Sequence, residues 1–280
     1  MNRKAVIFGI KGYRLTNKEK KFFKKVKPWG IILFSRNIKN ITQLKILIDE
    51  IKKVLHDKKY PILIDQEGGR VSRLNKIINL SFFSQDFFGR LYNKDKKLFY
   101  KVYKTYIDKV CEIFKKVGIN INTVPVLDVI RKNTHNVIGN RSFSQNSENV
   151  AKLGNVCINL YKKNNIATVI KHIPGHGLSK CDSHYKTPII KTNKKELMRK
   201  DFKPFRRCKS LFAMTAHAVY SIYDLVNTAT HSKIIINKVI RNHIYFKGLL
   251  ISDDISMKSL KYKLEENATK AIQAGCNLIL

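Results

Sequence analysis

The sequence predicts an α/β protein of the (β/α)8 TIM-barrel type, without the barrel's final helix. Three observations lead there. Eight short apolar runs recur along the chain, and amphipathic stretches of helical period lie between many of them. Ionisable residues gather just after the runs rather than inside them. A doubly wound open sheet shares the alternation and is the second architecture to consider. At 280 residues the chain has the length of one barrel, and no Pro/Ser-rich linker, composition shift or short repeat divides it. One domain over residues 1–280 is the expectation.

The runs are residues 5–10, 30–34, 62–64, 119–123, 167–170, 211–215, 248–251 and 277–280. They are continuous aliphatic stretches rather than alternating ones, as strands covered on both faces must be. Helical patterns occupy residues 41–55, 97–117, 148–162, 233–243 and 264–274. Gly118 and Gly275 each follow such a pattern just before a strand, where a left-handed residue closes a helix. The eighth run ends at Leu280, so the helix that ordinarily covers it is expected to be missing.

Composition narrows the function classes. Apolar residues make up 44% and aromatics 10%, which excludes a disordered or fibrous chain. No window approaches the ~20 apolar residues of a membrane helix, and the run at 5–10 is too short for a signal peptide. The five cysteines, Cys111, Cys157, Cys181, Cys208 and Cys276, are odd in number and lack a Cys-x-x-Cys pair, so a disulfide framework or zinc ribbon is disfavoured and a cytoplasmic location is expected. There are 55 Lys+Arg against 20 Asp+Glu, a net charge of +35. That excess is mostly lysine, spread along the chain among many Asn and Ile, rather than arginine clustered with aromatics. Specific nucleic-acid binding is therefore not expected. The densest patch, Lys20-Lys21-Phe22-Phe23-Lys24-Lys25, also fits an amphipathic helix.

Active sites of such barrels lie at the C-terminal ends of the strands, and that is where the polar groups collect. Ser35-Arg36-Asn37 follows the second run and Asp65-Gln66-Glu67-Gly68-Gly69-Arg70, with Arg73 beyond, follows the third. Asp128 and Gly139-Asn140-Arg141 follow the fourth. The fifth leads into Lys171-His172-Ile173-Pro174-Gly175-His176-Gly177 and Asp182-Ser183-His184, the sixth to His217, and the seventh to Ser252-Asp253-Asp254. Taken singly, each has a plainer reading. Gly68-Gly69 fits a tight turn and no phosphate-binding loop. Asp128 fits a loop brace, His217 a hydrogen-bonded core residue, and Asp253-Asp254 a helix N-cap. Arg36, Arg73 and Arg141 fit solvated surface charges. His172, His176, Asp182 and His184 could instead hold zinc or iron, although they sit in a Gly/Pro loop without helical ligand spacing.

Together these segments resemble the β-N-acetylglucosaminidases of glycoside hydrolase family 3, the bacterial type of cell-wall recycling. The resemblance runs from Ile31–Asn37 and Ile64–Val71 through Pro125–Val129, Gly139–Phe143 and Lys171–Gly177 with Asp182–His184, to Met214–His217 and Ser252–Met257, in the family's order. Ile173 stands where Phe is usual and Asn140 where Asp is common. The resemblance implies retaining hydrolysis of terminal β-linked N-acetylglucosamine, from a small muropeptide-like substrate. Asp253 would be the nucleophile, and His184, polarised by Asp182, the acid/base. Asp65, Arg73, Arg141, Lys171 and His172 would bind the sugar, with Arg36, Glu67 and Asp254 bracing them. No cofactor or metal is required. The rivals are a β-glucosidase of the same family, a metal-dependent hydrolase, and a non-catalytic sugar- or nucleic-acid-binding protein.

Overall fold

The computed structural model describes residues 3–132 and 134–280. In chain order the strands are β1 (Lys4–Phe8), β2 (Pro28–Leu33), β3 (Ile62–Ile64), β4 (Ile121–Asn122), β5 (Ala167–Ile173), β6 (Ile189–Ile190), β7 (Phe212–Thr215), β8 (Val219–Tyr220) and β9 (Leu249–Ile251). Seven of them form one curled sheet in the order β1-β2-β3-β4-β5-β7-β9, every neighbouring pair parallel, while β6 and β8 pair separately. Because all seven run the same way, their C-terminal ends open onto one face.

The eighth run does not form a ladder. Residues 277–280 make single parallel bridges, Ile279 to Val6 at one edge of the sheet and Leu278 to Ile251 at the other. Ile7 donates to the Ile279 carbonyl at 2.7 Å, and Ser252 to the Leu278 carbonyl at 2.9 Å. One buried cluster takes a residue from each of the eight runs: Ile7, Ile32, Leu63, Ile121, Val169, Met214, Ile251 and Leu278.

The helices are α1 (Asn17–Val26), α2 (Ile41–Val54), α3 (Gln85–Lys94), α4 (Lys96–Val117), α5 (Ser147–Lys163), α6 (Lys194–Glu196), α7 (Lys203–Arg207) and α8 (Leu264–Ala274). They lay their apolar stripes on the outer face of the sheet. In α2 the stripe is Leu44, Leu47, Ile48, Ile51 and Val54, the spacing of one helical face. Local chemistry sets the ends. Thr16 and Glu19 form a capping box on α1, which contains the basic patch Lys20–Lys25, so those lysines belong to a packed amphipathic helix. Asn40, Ser84, Asp95 and Asn146 cap α2, α3, α4 and α5. Gly118 closes α4 with φ of 97°.

Two departures from the sequence reading have local causes. The segment read as a helix over 233–243 is a π-helix, Ile235–His243, with Ile244 donating to Val239 at 2.8 Å. Its buried stripe of Ile235, Ile236, Val239 and Ile240 is equally compatible with either helix, so apolar spacing could not separate them. The fourth strand is shorter than residues 119–123. The Asn122 side chain takes over from the ladder, accepting from the Gln66 amide at 3.0 Å and donating to the Gln66 carbonyl at 2.9 Å.

Candidate active site

Asp65 leaves the end of β3 with its side chain half-buried. It accepts from Thr123 Oγ1 at 2.6 Å and from Arg73 Nη2 at 2.7 Å, and it pairs with Lys171 of β5. Burial works against its charge, but Lys171 and Arg73 outweigh that and hold its carboxyl far below the usual range. Lys171 also reaches Glu67 at 2.6 Å. Glu67 takes both arms of Arg141, each at 2.8 Å. Lys171 is 2% exposed and the Glu67 side chain 1%, so this pair lies out of water. Arg73 and Arg141 are thus fixed by carboxylates, and the surface-charge reading does not hold for them.

The turn that delivers these groups needs its glycines. Gly68 and Gly69 have φ of +90° and +59°, and a Cβ on Gly68 would stand 2.2 Å from the Phe83 carbonyl oxygen. The tight-turn reading is therefore correct, and the same turn aims Asp65, Glu67 and Arg73 toward one another.

Asp128 is the hub of the histidine segment. Fully buried, it accepts from His172 Nδ1 at 2.6 Å and from the His176 amide at 2.6 Å. Burial raises its pKa, but His172 and His176 more than offset this and the group stays ionised. With Nδ1 donating to Asp128, His172 Nε2 faces Arg141 Nη2 at 3.4 Å as an acceptor. Asp128 is a brace, as its plainer reading had it, but one that orients a pocket residue.

Asp253 follows β9. Burial pushes its pKa up; His172, His217, the Asp254 amide and Lys171 push harder the other way, leaving it below the ordinary Asp value. His217 donates from Nε2 to the Asp254 carbonyl at 3.0 Å and meets Thr230 Oγ1 through Nδ1 at 2.7 Å. It is a satisfied buried histidine whose partner is the turn carrying Asp253. Asp254 accepts from the Ser256 amide at 2.8 Å within a turn, and the next helix starts only at Leu264, so the helix N-cap reading does not hold. Arg36 lies against the Phe34 ring and donates to the Ile10 carbonyl at 3.0 Å, bracing the wall.

Asp182 and His184 sit on the long loop after β5. Asp182 accepts from His184 Nδ1 at 2.7 Å and from its amide at 2.9 Å, and its carboxyl is held low. A pocket of about 160 Å3 gathers Asp65, Arg73, Arg141, Lys171, His172, His184 and Asp253 on its walls. Seven of the eight residues singled out from sequence thus line one cavity. Asp182 does not line it and stands behind His184. Among the described residues no group of three or more His, Cys, Asp or Glu is disposed to hold a metal ion.

Sequence reasoning missed several supports. Gln85, at the start of α3, donates to the Val126 and Arg141 carbonyls at 2.9 and 2.6 Å and so fixes the segment carrying Arg141. The buried spacing Gln85, Phe88, Gly89, Tyr92 after Ser84 was the signal that would have revealed this helix. Thr123 also lines the pocket, as does His176, which the sequence offered only as a metal ligand.

A curled parallel α/β sheet with ionised carboxylates, imidazoles and fixed cations converging at its strand ends has the makings of an enzyme site. Comparison with known proteins assigns it further. The glycosyl hydrolase family 3 N-terminal domain matches residues 4–280, and the chain belongs to that family: it is a glycosidase that stands among its β-hexosaminidases. A β-hexosaminidase of Psychromonas ingrahamii is 34% identical over 99% of this chain and 82% of its own. One from Neisseria meningitidis serogroup C is 35% identical over 99% and 78%. Among solved structures, NagZ from Neisseria gonorrhoeae in complex with N-trifluoroacetyl-D-glucosamine superimposes with a TM-score of 0.88 at 34% identity, covering 99% of this chain and 81% of that one. A family 3 β-N-acetylglucosaminidase from Paenibacillus sp. FPU-7 gives 0.90 at 27% identity; this chain spans 53% of its length. No described helix is long and apolar enough to cross a membrane.

Proposed function

We propose that the protein releases terminal β-linked N-acetylglucosamine by a retaining, two-step hydrolysis. The observation that carries this is the placement of Asp253 and His184 on one pocket, with Asp182 behind the imidazole. In the first step the Asp253 carboxylate attacks the anomeric carbon. The bond to the leaving oxygen breaks, and His184 gives that oxygen its Nε2 proton while Nδ1–H stays on Asp182. In the second, water attacks the anomeric carbon, the ester to Asp253 breaks, and His184 takes the water's proton. An imidazole in the acid/base position does not repel the Asp253 carboxylate, which a second carboxylate would.

In this reading Asp65 accepts from sugar hydroxyls, while Arg73, Arg141, Lys171 and His172 contact hydroxyls and the N-acetyl group. The whole chain acts as one catalytic domain. We read residues 277–280 as the eighth strand of a closed barrel, supported by their bridges to both sheet edges and by Leu278 in the ring of eight. Muropeptide fragments are the natural substrate in this reading, in peptidoglycan recycling. A cytoplasmic site of action is supported by five cysteines that are all unpaired.

The test is hydrolysis of an aryl N-acetyl-β-glucosaminide beside the matching β-glucoside. Preferred turnover of the acetamido sugar supports the assignment. Equal or better turnover of the glucoside moves the enzyme to the β-glucosidase reading.

A further inference from the structure

The Asp182-Ser183-His184 tripeptide is asymmetric in burial. The His184 side chain is 60% exposed and that of Asp182 26%, yet Ser183 between them is 5% exposed and turned inward. Its hydroxyl meets His176 Nε2 at 3.2 Å. Among the described residues this is the one side-chain hydrogen bond that ties the tripeptide to the rest of the protein. The remaining tie from outside the loop is a backbone bond, Lys258 N to the His184 carbonyl at 3.3 Å.

His176, in contrast, is immobilised. Its amide donates to Asp128, the carboxylate that also holds His172. Before it, the Gly175 carbonyl accepts from Tyr220 Oη at 2.5 Å. After it, Gly177 packs so closely that a Cβ would lie 1.9 Å from the Val129 carbonyl oxygen. Its ring is 5.6 Å from that of His172, and both rings line the pocket. Among the described residues Nδ1 has no hydrogen-bond partner, and Ser183 is the ring's one hydrogen-bond contact. Burial, reinforced by neighbouring His172, lowers the His176 pKa to about 4. The ring therefore stays neutral at working pH, and its bond to Ser183 does not titrate away.

We propose that His176 is a positioning residue for the acid/base step: through Ser183 Oγ it sets where the Asp182–His184 pair stands over the pocket. This rests on His184 being the acid/base, and it adds a reason for the histidine before Gly177 and for the serine inside the tripeptide. His176 touches no reacting atom in this scheme. It fixes a loop whose two functional side chains are otherwise held only by each other.

The experiment compares kcat/KM on two N-acetyl-β-glucosaminides, one with an activated dinitrophenyl leaving group and one with a poor alkyl leaving group. The variants are Ser183→Ala, Ser183→Thr, His176→Asn, the Ser183→Ala/His176→Asn double, and His184→Ala as reference. Losing one positioning hydrogen bond should slow the alkyl glycoside about tenfold. The dinitrophenyl glycoside, which needs little acid help, should lose several-fold less. Ser183→Thr should restore the alkyl rate, and the double variant should lose no more than the worse single. Equal losses on both substrates in folded variants, or additive losses in the double, overturn the proposal. If His184→Ala itself shows no leaving-group dependence, the acid/base assignment fails and takes this inference with it, a result distinguishable from failure of the His176–Ser183 bond alone.

Discussion

Replacing Glu67 with Gln probes the buried charges that shape the sugar pocket. Glu67 binds Arg141 through two 2.8 Å bonds and Lys171 at 2.6 Å, all largely out of water. Gln keeps the volume but removes the charge and offers Arg141 one acceptor where the carboxylate offers two. Arg141 and Lys171 would then be buried with Asp65 as their nearest compensating carboxylate, shared with Arg73. Breaking a buried pair in this way costs about 3–5 kcal/mol. For a domain of this size that corresponds to a fall in Tm of about 6–20 °C. The pH dependence has a definite sign. Burial raises the Glu67 pKa, but Arg141 and Lys171 pull it below the ordinary Glu value. Its contribution is therefore fully present above the unfolded pKa and is lost as pH falls through the folded one. The Tm gap between wild type and Glu67→Gln should be widest at neutral pH and narrow in acid. KM should rise, because Arg141 loses its fixed direction. Thermal melts from pH 7 down to pH 3, with kinetics at pH 7, test all three. A Tm within a degree of wild type at pH 7 would refute the buried-pair argument.

His184→Ala should cut kcat/KM for alkyl glycosides by about 10²–10⁴-fold, the usual worth of a positioned acid, and leave dinitrophenyl glycosides far less affected; equal losses would remove His184 from the acid role. Since Asp253 titrates below an ordinary Asp, kcat/KM for the dinitrophenyl substrate should stay flat from pH 7 to pH 5, and a loss over that range would contradict an ionised nucleophile. Gly177→Ala forces a Cβ toward the Val129 carbonyl, and the overpacking should cost about 1–3 kcal/mol or more, read as a lowered Tm; an unchanged melt would show that the His176 segment is looser than its packing indicates.

Much of this site was legible because polar groups of a parallel α/β sheet collect at its strand ends, and the runs that mark those ends are continuous and apolar. Asp65 with Arg73, Arg141, Lys171 with His172, His184 and Asp253 come from separate stretches of the sequence yet share one cavity. What stayed hidden were roles set by contacts across the fold. Asp128 read only as a loop brace, because nothing local says that its carboxylate meets His172 and His176. The helix that Gln85 begins has no strong apolar period to announce it, since Gln85 and Gly89 fill half of its buried stripe. The side-chain link from Asn122, the last residue of β4, to Gln66 is invisible in the apolar pattern of the run. The eighth run was visible as an apolar stretch, but its single bridges to two different edges depend on the curvature of the whole sheet.

Incubating the enzyme with a 5-fluoro N-acetyl-β-glucosaminyl fluoride, which slows the second step, tests the nucleophile most directly. Intact mass should rise by one glycosyl residue, with the label mapping to the peptide containing Ser252-Asp253-Asp254 and absent from Asp253→Ala. A label on another carboxylate, or turnover by wild type with normal activity in Asp253→Ala, would contradict the assignment of Asp253.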